Sequence, residues 1–110
     1  MAELLILEFE SFSEGQYEKV NSELGIDMRS GEGDWPDGLV SHTAGHLDGG
    51  FIVVEIWESQ EDQEDFMRSR LGRALQNAGV QGPPKRAEWS KLRSHHTPRK
   101  ASSKSKAATS

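Results

Sequence analysis

Two side chains in this sequence have the types and spacing to move a proton, His42 and Glu55, with a tight-turn dipeptide midway between them. Asp48-Gly49 is a hairpin signature, because a type I′ turn needs φ > 0 at both central residues. With that dipeptide as the loop, His46 pairs with Phe51, Ala44 with Val53, His42 with Glu55 and Val40 with Trp57. A four-residue loop from Leu47 to Gly50 keeps these pairings. A three-residue loop slips them by one and separates His42 from Glu55. Directly opposed residues have Cβ atoms ~4.5–5.5 Å apart, within hydrogen-bonding reach. A carboxylate holding one imidazole nitrogen sets the tautomer and leaves the other nitrogen as a proton acceptor. In an apolar pocket that pair is a general base for an acidic carbon or a phenol. The competing reading is a satisfied polar contact in the body of the protein or at a subunit interface.

The neighbours of the pair suit a pocket. Phe51, Val53 and Trp57 share the face of Glu55, and Val40 and His46 lie across from them. Trp57 and Trp89 are expected to stack on a flat ligand or to pack in the core. His46 lies four residues from His42, ~13 Å along a strand, too far for one metal ion to bridge. It is expected near the cavity mouth or in solvent. No phosphate-cradling glycine loop, Ser-His-Asp arrangement or metal motif is visible, so no metal and no cofactor are expected.

The elements that position these residues follow from pattern. Phe51 to Trp57 is rich in β-branched and aromatic residues, the clearest strand signal in the chain. Its Ile52, Val54, Ile56 strip is purely apolar and is expected beneath helices, leaving the Phe51–Trp57 strip on the other face. Glu3 to Glu10 reads as a buried strand. Ser13 to Leu24 reads as a helix, capped by Ser13 with Gln16 as its capping-box partner. Tyr17, Val20 and Leu24 form its apolar stripe, with Tyr17 as packing. Ile26 to Asp37 is a long acidic loop, of the kind that forms lids and mouths. Trp35 either pins it to the body or covers a pocket. Ser59 to Ala78 reads as a second helix whose stripe is Phe66, Met67, Leu71, Ala74, Leu75 and Ala78. Gly82-Pro83-Pro84 breaks the chain before a last strand, Arg86 to Arg93.

The chain has 110 residues, enough for one domain with one core. It contains no cysteine, which suits a reducing cytoplasm. The short apolar run near Met1 has no basic region before it and is not expected to act as a signal peptide. No apolar run approaches the ~20 residues of a membrane span. The formal charge of −5 is uneven. Arg99, Lys100, Lys104 and Lys106 lie in the tail; without them nine bases face 18 acids, so the body carries −9. Such a body is a poor partner for nucleic acid, whose phosphates need Lys and Arg. Residues 94–110 hold nothing large and apolar and are expected to be a disordered basic tail. The domain is expected to span residues 1–93.

The element order β-α-β-β-α-β is the ferredoxin-like arrangement, an α+β fold with a four-stranded antiparallel sheet. Both helices cover one face, and the apolar second face calls for a second copy, two sheets closing into a barrel. Gly38-Leu39, His42, Ala44-Gly45, Gly49-Gly50 and the run Val53 to Ser59 carry a resemblance, together with Phe66, Arg70-Leu71-Gly72 and Ala74-Leu75. Over roughly residues 2 to 93 the chain resembles the dimeric α/β-barrel superfamily, specifically small antibiotic-biosynthesis-monooxygenase-like proteins. That superfamily includes cofactor-free monooxygenases, polyketide cyclases, lactone isomerases, haem-degrading enzymes and members without known activity. The resemblance implies a homodimer and a small hydrophobic or aromatic ligand, polyketide-like in many relatives. Haem is disfavoured, since haem-degrading relatives hold the iron with a histidine from the second helix and Ser59 to Ala78 has none. An RNA-recognition domain shares the topology but needs a basic-aromatic strand that is absent here. The expected function is either a cofactor-independent enzyme of cyclase, isomerase or monooxygenase type, or a non-catalytic ligand-binding or stress-related barrel.

Overall fold

The computed structural model describes residues 2–98. The expected tail therefore falls largely outside the described residues, and 94–98 form no helix or strand. In chain order come β1 (Glu3–Phe9), α1 (Glu14–Leu24), β2 (Ile26–Asp27), β3 (Glu32–Gly33), β4 (Leu39–Leu47) and β5 (Gly50–Trp57). Then follow α2 (Gln60–Phe66), a π-helical turn (Met67–Leu71), α3 (Gly72–Asn77) and β6 (Arg86–Lys91). The main sheet is antiparallel, in the order β4-β5-β1-β6. This is the ferredoxin-like α+β arrangement.

Local chemistry sets the ends of the elements. Ser13 caps α1 in a reciprocal box with Gln16, each side chain taking up the other's backbone N–H at 3.1 and 2.9 Å. Gly25 closes α1 in the left-handed conformation, φ 75°. Ser59 caps α2 by accepting from the Asp62 backbone N–H at 3.1 Å. The Asp48-Gly49 turn delivers the hairpin register, pairing His46 with Phe51, Ala44 with Val53 and His42 with Glu55.

Three expectations are corrected. Val40 does not face Trp57: a bulge lets Leu39 pair with Trp57 and Ser41 with Ile56. The extra residue has no place in the ladder, so Val40 turns outward and is 48% exposed. Secondly, the two faces of β5 are exchanged. Phe51, Val53, Glu55 and Trp57 lie beneath the helices, in one core with Leu5, Val20, Leu24, Phe66 and Ala74. Ile52 and Val54, with Leu4 and Ile6 of β1, line the outer face of the sheet and are only half-buried. Both strips are apolar, so hydrophobicity alone does not choose between them. Buried area does: aromatic side chains bury ~150–250 Å² each, and a single chain gains most by enclosing Phe51 and Trp57. Thirdly, the second helix is not continuous. The π turn inserts a residue into its winding, and Met67 leaves the buried stripe for the surface at 37% exposure.

The 26–37 segment is more ordered than its composition suggests. β2 and β3 pair across it. The Asp27 carboxylate accepts from the Arg29 backbone N–H at 2.9 Å and from that of Ser30 at 3.4 Å. These donors, first that of Arg29, hold its carboxyl below the usual carboxylate range.

Candidate functional site

Between the helices and the inner face of the sheet lies a cavity of about 130 Å³. Its walls come from every layer: Leu7 of β1, Val20 of α1, Trp35 of the acidic loop, Val53 of β5, and Phe66 and Leu71 of the second helical segment. Against this apolar lining stand four polar side chains, Tyr17, Asn21, His42 and Glu55.

Three of these and Trp57 form a continuous hydrogen-bonded chain. His42 Nδ1 lies 2.7 Å from Glu55 Oε2. The other carboxylate oxygen, Oε1, accepts from the Trp57 indole N–H at 2.9 Å. On the far side of the imidazole, Nε2 lies 2.7 Å from the Tyr17 hydroxyl. Glu55 is 9% exposed and Trp57 is fully enclosed. A buried carboxylate without partners costs several kcal/mol, of order 3–5, so two donors on its two oxygens explain its tolerance here. The strand register produces this economy of placement. Glu55 and Trp57 are two apart on one pleated face, and His42 is the direct cross-strand partner of Glu55.

Burial pushes the Tyr17 phenol above its ordinary value of 10.0. A hydrogen bond from Asn21 pulls it back, while the charges of Glu55 and Glu14 push it further up. The Tyr17 and His42 rings are nearly parallel, 7° apart in plane. Tyr17 and His42 also line an open groove on the outside of the molecule, with Glu14 and His46 at its rim. The pair thus separates an apolar interior from a polar surface.

The acidic loop forms one wall of the cavity, and one side chain fastens it. Arg70 donates to the carbonyl oxygens of Leu24 and Asp34 at 2.8 and 2.7 Å. Its guanidinium rests over the Phe66 ring, 5.4 Å from the centroid. Trp35 packs against the core and lines the cavity. Its indole N–H donates within the loop, to Gly31 O at 2.9 Å.

Of the nine residues expected at a site, His42, Glu55, Val53 and Trp35 meet at the cavity. The other five do not. Trp57 stands behind Glu55 as a hydrogen-bond donor, not as a wall. Phe51 is core and reaches only the outer groove. His46 sits at the groove rim, its side chain 61% exposed, hydrogen-bonded to Glu14 at 2.8 Å. Trp89, on β6 opposite Leu5, packs half-buried against the core. Val40 is turned out by the bulge. Sequence reasoning read Tyr17 as packing and passed over Asn21. Their signal was a polar residue one turn on from the chain's one tyrosine, both within the apolar stripe of α1. Among the described residues no three His, Asp or Glu side chains converge as metal ligands would.

No protein-family model matches the sequence, and no curated protein matches it. Solved structures do. An antibiotic-biosynthesis-monooxygenase-like protein from Chloroflexus aurantiacus superposes with a TM-score of 0.61, at 12% identity, over 88% of this chain and 98% of its own. The protein YJCS superposes with a TM-score of 0.56, also at 12% identity, over 84% of this chain and 99% of its own. The chain is thus similar to antibiotic-biosynthesis-monooxygenase-like proteins in fold. At this identity the likeness is one of architecture and carries no chemistry. Among the described residues no helix is long and apolar enough to cross a membrane.

Proposed function

We propose that this protein is a small cofactor-independent enzyme of cyclase, isomerase or monooxygenase type, acting on a hydrophobic aromatic or polyketide-like substrate. His42 is the proton acceptor and Glu55 holds its imidazole. The observation that supports this most is an imidazole–carboxylate pair enclosed in the wall of an otherwise apolar cavity. Removal of a proton from an acidic carbon leaves a carbanion for aldol closure, isomerisation or reaction with molecular oxygen. The name carried by the Chloroflexus aurantiacus structure is compatible with the last of these. The outer sheet face, with Leu4, Ile6, Ile52 and Val54, packs on a second copy of the chain in this reading, and the dimer works in the cytoplasm.

A second reading is favoured by one observation. Tyr17 already satisfies the free nitrogen of His42. That suits a non-catalytic ligand-binding or stress-related barrel with a fully paired interior. Turnover separates the two. Oxygen uptake and product formation are followed with a panel of dihydroxybenzenes, naphthols and anthrones. In the enzyme reading, His42→Ala and Glu55→Gln abolish turnover while circular dichroism stays native. Absence of turnover in the wild type, with both variants merely less stable, points to the binding protein.

A further inference from the structure

The hydrogen-bond chain has a direction. Glu55 is an acceptor, so the proton of a neutral His42 ring sits on Nδ1, and Nε2 is left as an acceptor. The Tyr17 hydroxyl, 2.7 Å from Nε2, is then the donor. Its oxygen takes a hydrogen bond from Asn21 and keeps a second lone pair, and its ring lines the cavity. A ligand hydroxyl therefore finds Nε2 occupied by Tyr17, and the route from the ligand to Nε2 runs through the Tyr17 oxygen.

Cavity size narrows the ligand. An apolar cavity of about 150 Å³ holds one benzene molecule. The cavity here is slightly smaller, about 130 Å³. It suits one ring, and three fused rings exceed it. Resting on the general-base reading above, we infer that Tyr17 is a catalytic residue that takes the proton of a single-ring phenol or enol and passes its own proton to His42. The ligand's O–H bond breaks, and its proton bonds to the Tyr17 oxygen as the former Tyr17 proton moves to Nε2. The ligand is left as an anion and His42 as an imidazolium beside Glu55. Tyr17 is neutral before and after, and no electrons change hands.

The probe is 4-nitrophenol, a single-ring phenol whose anion absorbs visible light. Its counterpart is 4-nitroanisole, nearly the same shape without the acidic proton. In mildly acidic buffer, where free 4-nitrophenol is neutral, the wild type is expected to bind it with the phenolate band. Binding should be about tenfold tighter than that of 4-nitroanisole, the difference one good hydrogen bond makes. Tyr17→Phe keeps 4-nitroanisole binding, which reports an intact cavity, but loses the band because a gap then separates the ligand from Nε2. His42→Gln loses the band as well. If Tyr17→Phe keeps the band and His42→Gln loses it, the relay is overturned and the His42 base stands. A band surviving in His42→Gln removes the base itself. A wild type with neither band nor preference also overturns the relay, leaving the base to the turnover assay. Tighter binding of 2-hydroxyanthracene than of 4-nitrophenol overturns the single-ring assignment.

Discussion

The two faces of the sheet are built from the same kinds of residue and do different work. The inner face of β5 alternates bulk with one charge: Phe51, Val53, Glu55, Trp57. The outer face is uniform: Ile52, Val54 and Ile56, beside Leu4 and Ile6. The inner face is the less apolar of the two, yet it is the one the helices cover. A charge can sit under a helix layer when its partners come with it, and both partners of Glu55 lie in the same hairpin. Apolar purity therefore marks a face that needs covering, but it does not say by what.

That contrast can be broken from either side. The largest effect is expected inside. Trp57→Ala removes a fully enclosed indole and a donor to Glu55, and should cost about 3–5 kcal/mol, read from urea unfolding. Trp57→Phe keeps most of the volume and should cost less, about 1–3 kcal/mol, for the lost hydrogen bond to a charged group. A Trp57→Phe loss near zero would mean that Glu55 does not depend on the indole N–H.

On the outside, Ile52→Lys should leave the folded subunit nearly intact but halve the mass seen by light scattering. A wild type that is already monomeric would remove the proposed second copy. Next in size is a pH effect. The raised Tyr17 phenol means that the unfolded chain releases this proton at lower pH than the folded chain does. Its contribution is complete below the ordinary value of 10.0 and is lost as pH climbs through the raised one. Urea midpoints should fall less steeply above about pH 10 in Tyr17→Phe than in the wild type. Because Tyr17 is the one tyrosine in the chain, its ultraviolet titration reads the same shift directly. The smallest effect is expected at the groove rim. The exposed His46–Glu14 pair should contribute under about 1 kcal/mol, so His46→Ala should leave the midpoint almost unmoved.

The hairpin was legible because its information is local. Asp48-Gly49 sets the pairing, and the pairing sets His42 against Glu55. The helix cap Ser13, with Gln16 three residues on, was legible for the same reason. What escaped depends on distant parts of the chain. Which strip of β5 faces the helices is decided by total enclosed area across four elements, not by the strip. The bulge at Val40 and the π turn at Met67–Leu71 each insert one residue, and no residue type marks either insertion. Tyr17 looked like packing because its partner, His42, lies 25 residues away on another element.

Arg70 has a consequence for time rather than for strength. It ties the acidic loop to the helical layer without lining the cavity, so it does not set how well a ligand fits. Its expected effect is on how fast a ligand passes the loop. In Arg70→Ala, stopped-flow mixing should show arrival and escape both quickened by similar factors, with the dissociation constant little changed. A guest would then be held as firmly on average, but for a shorter stay each time.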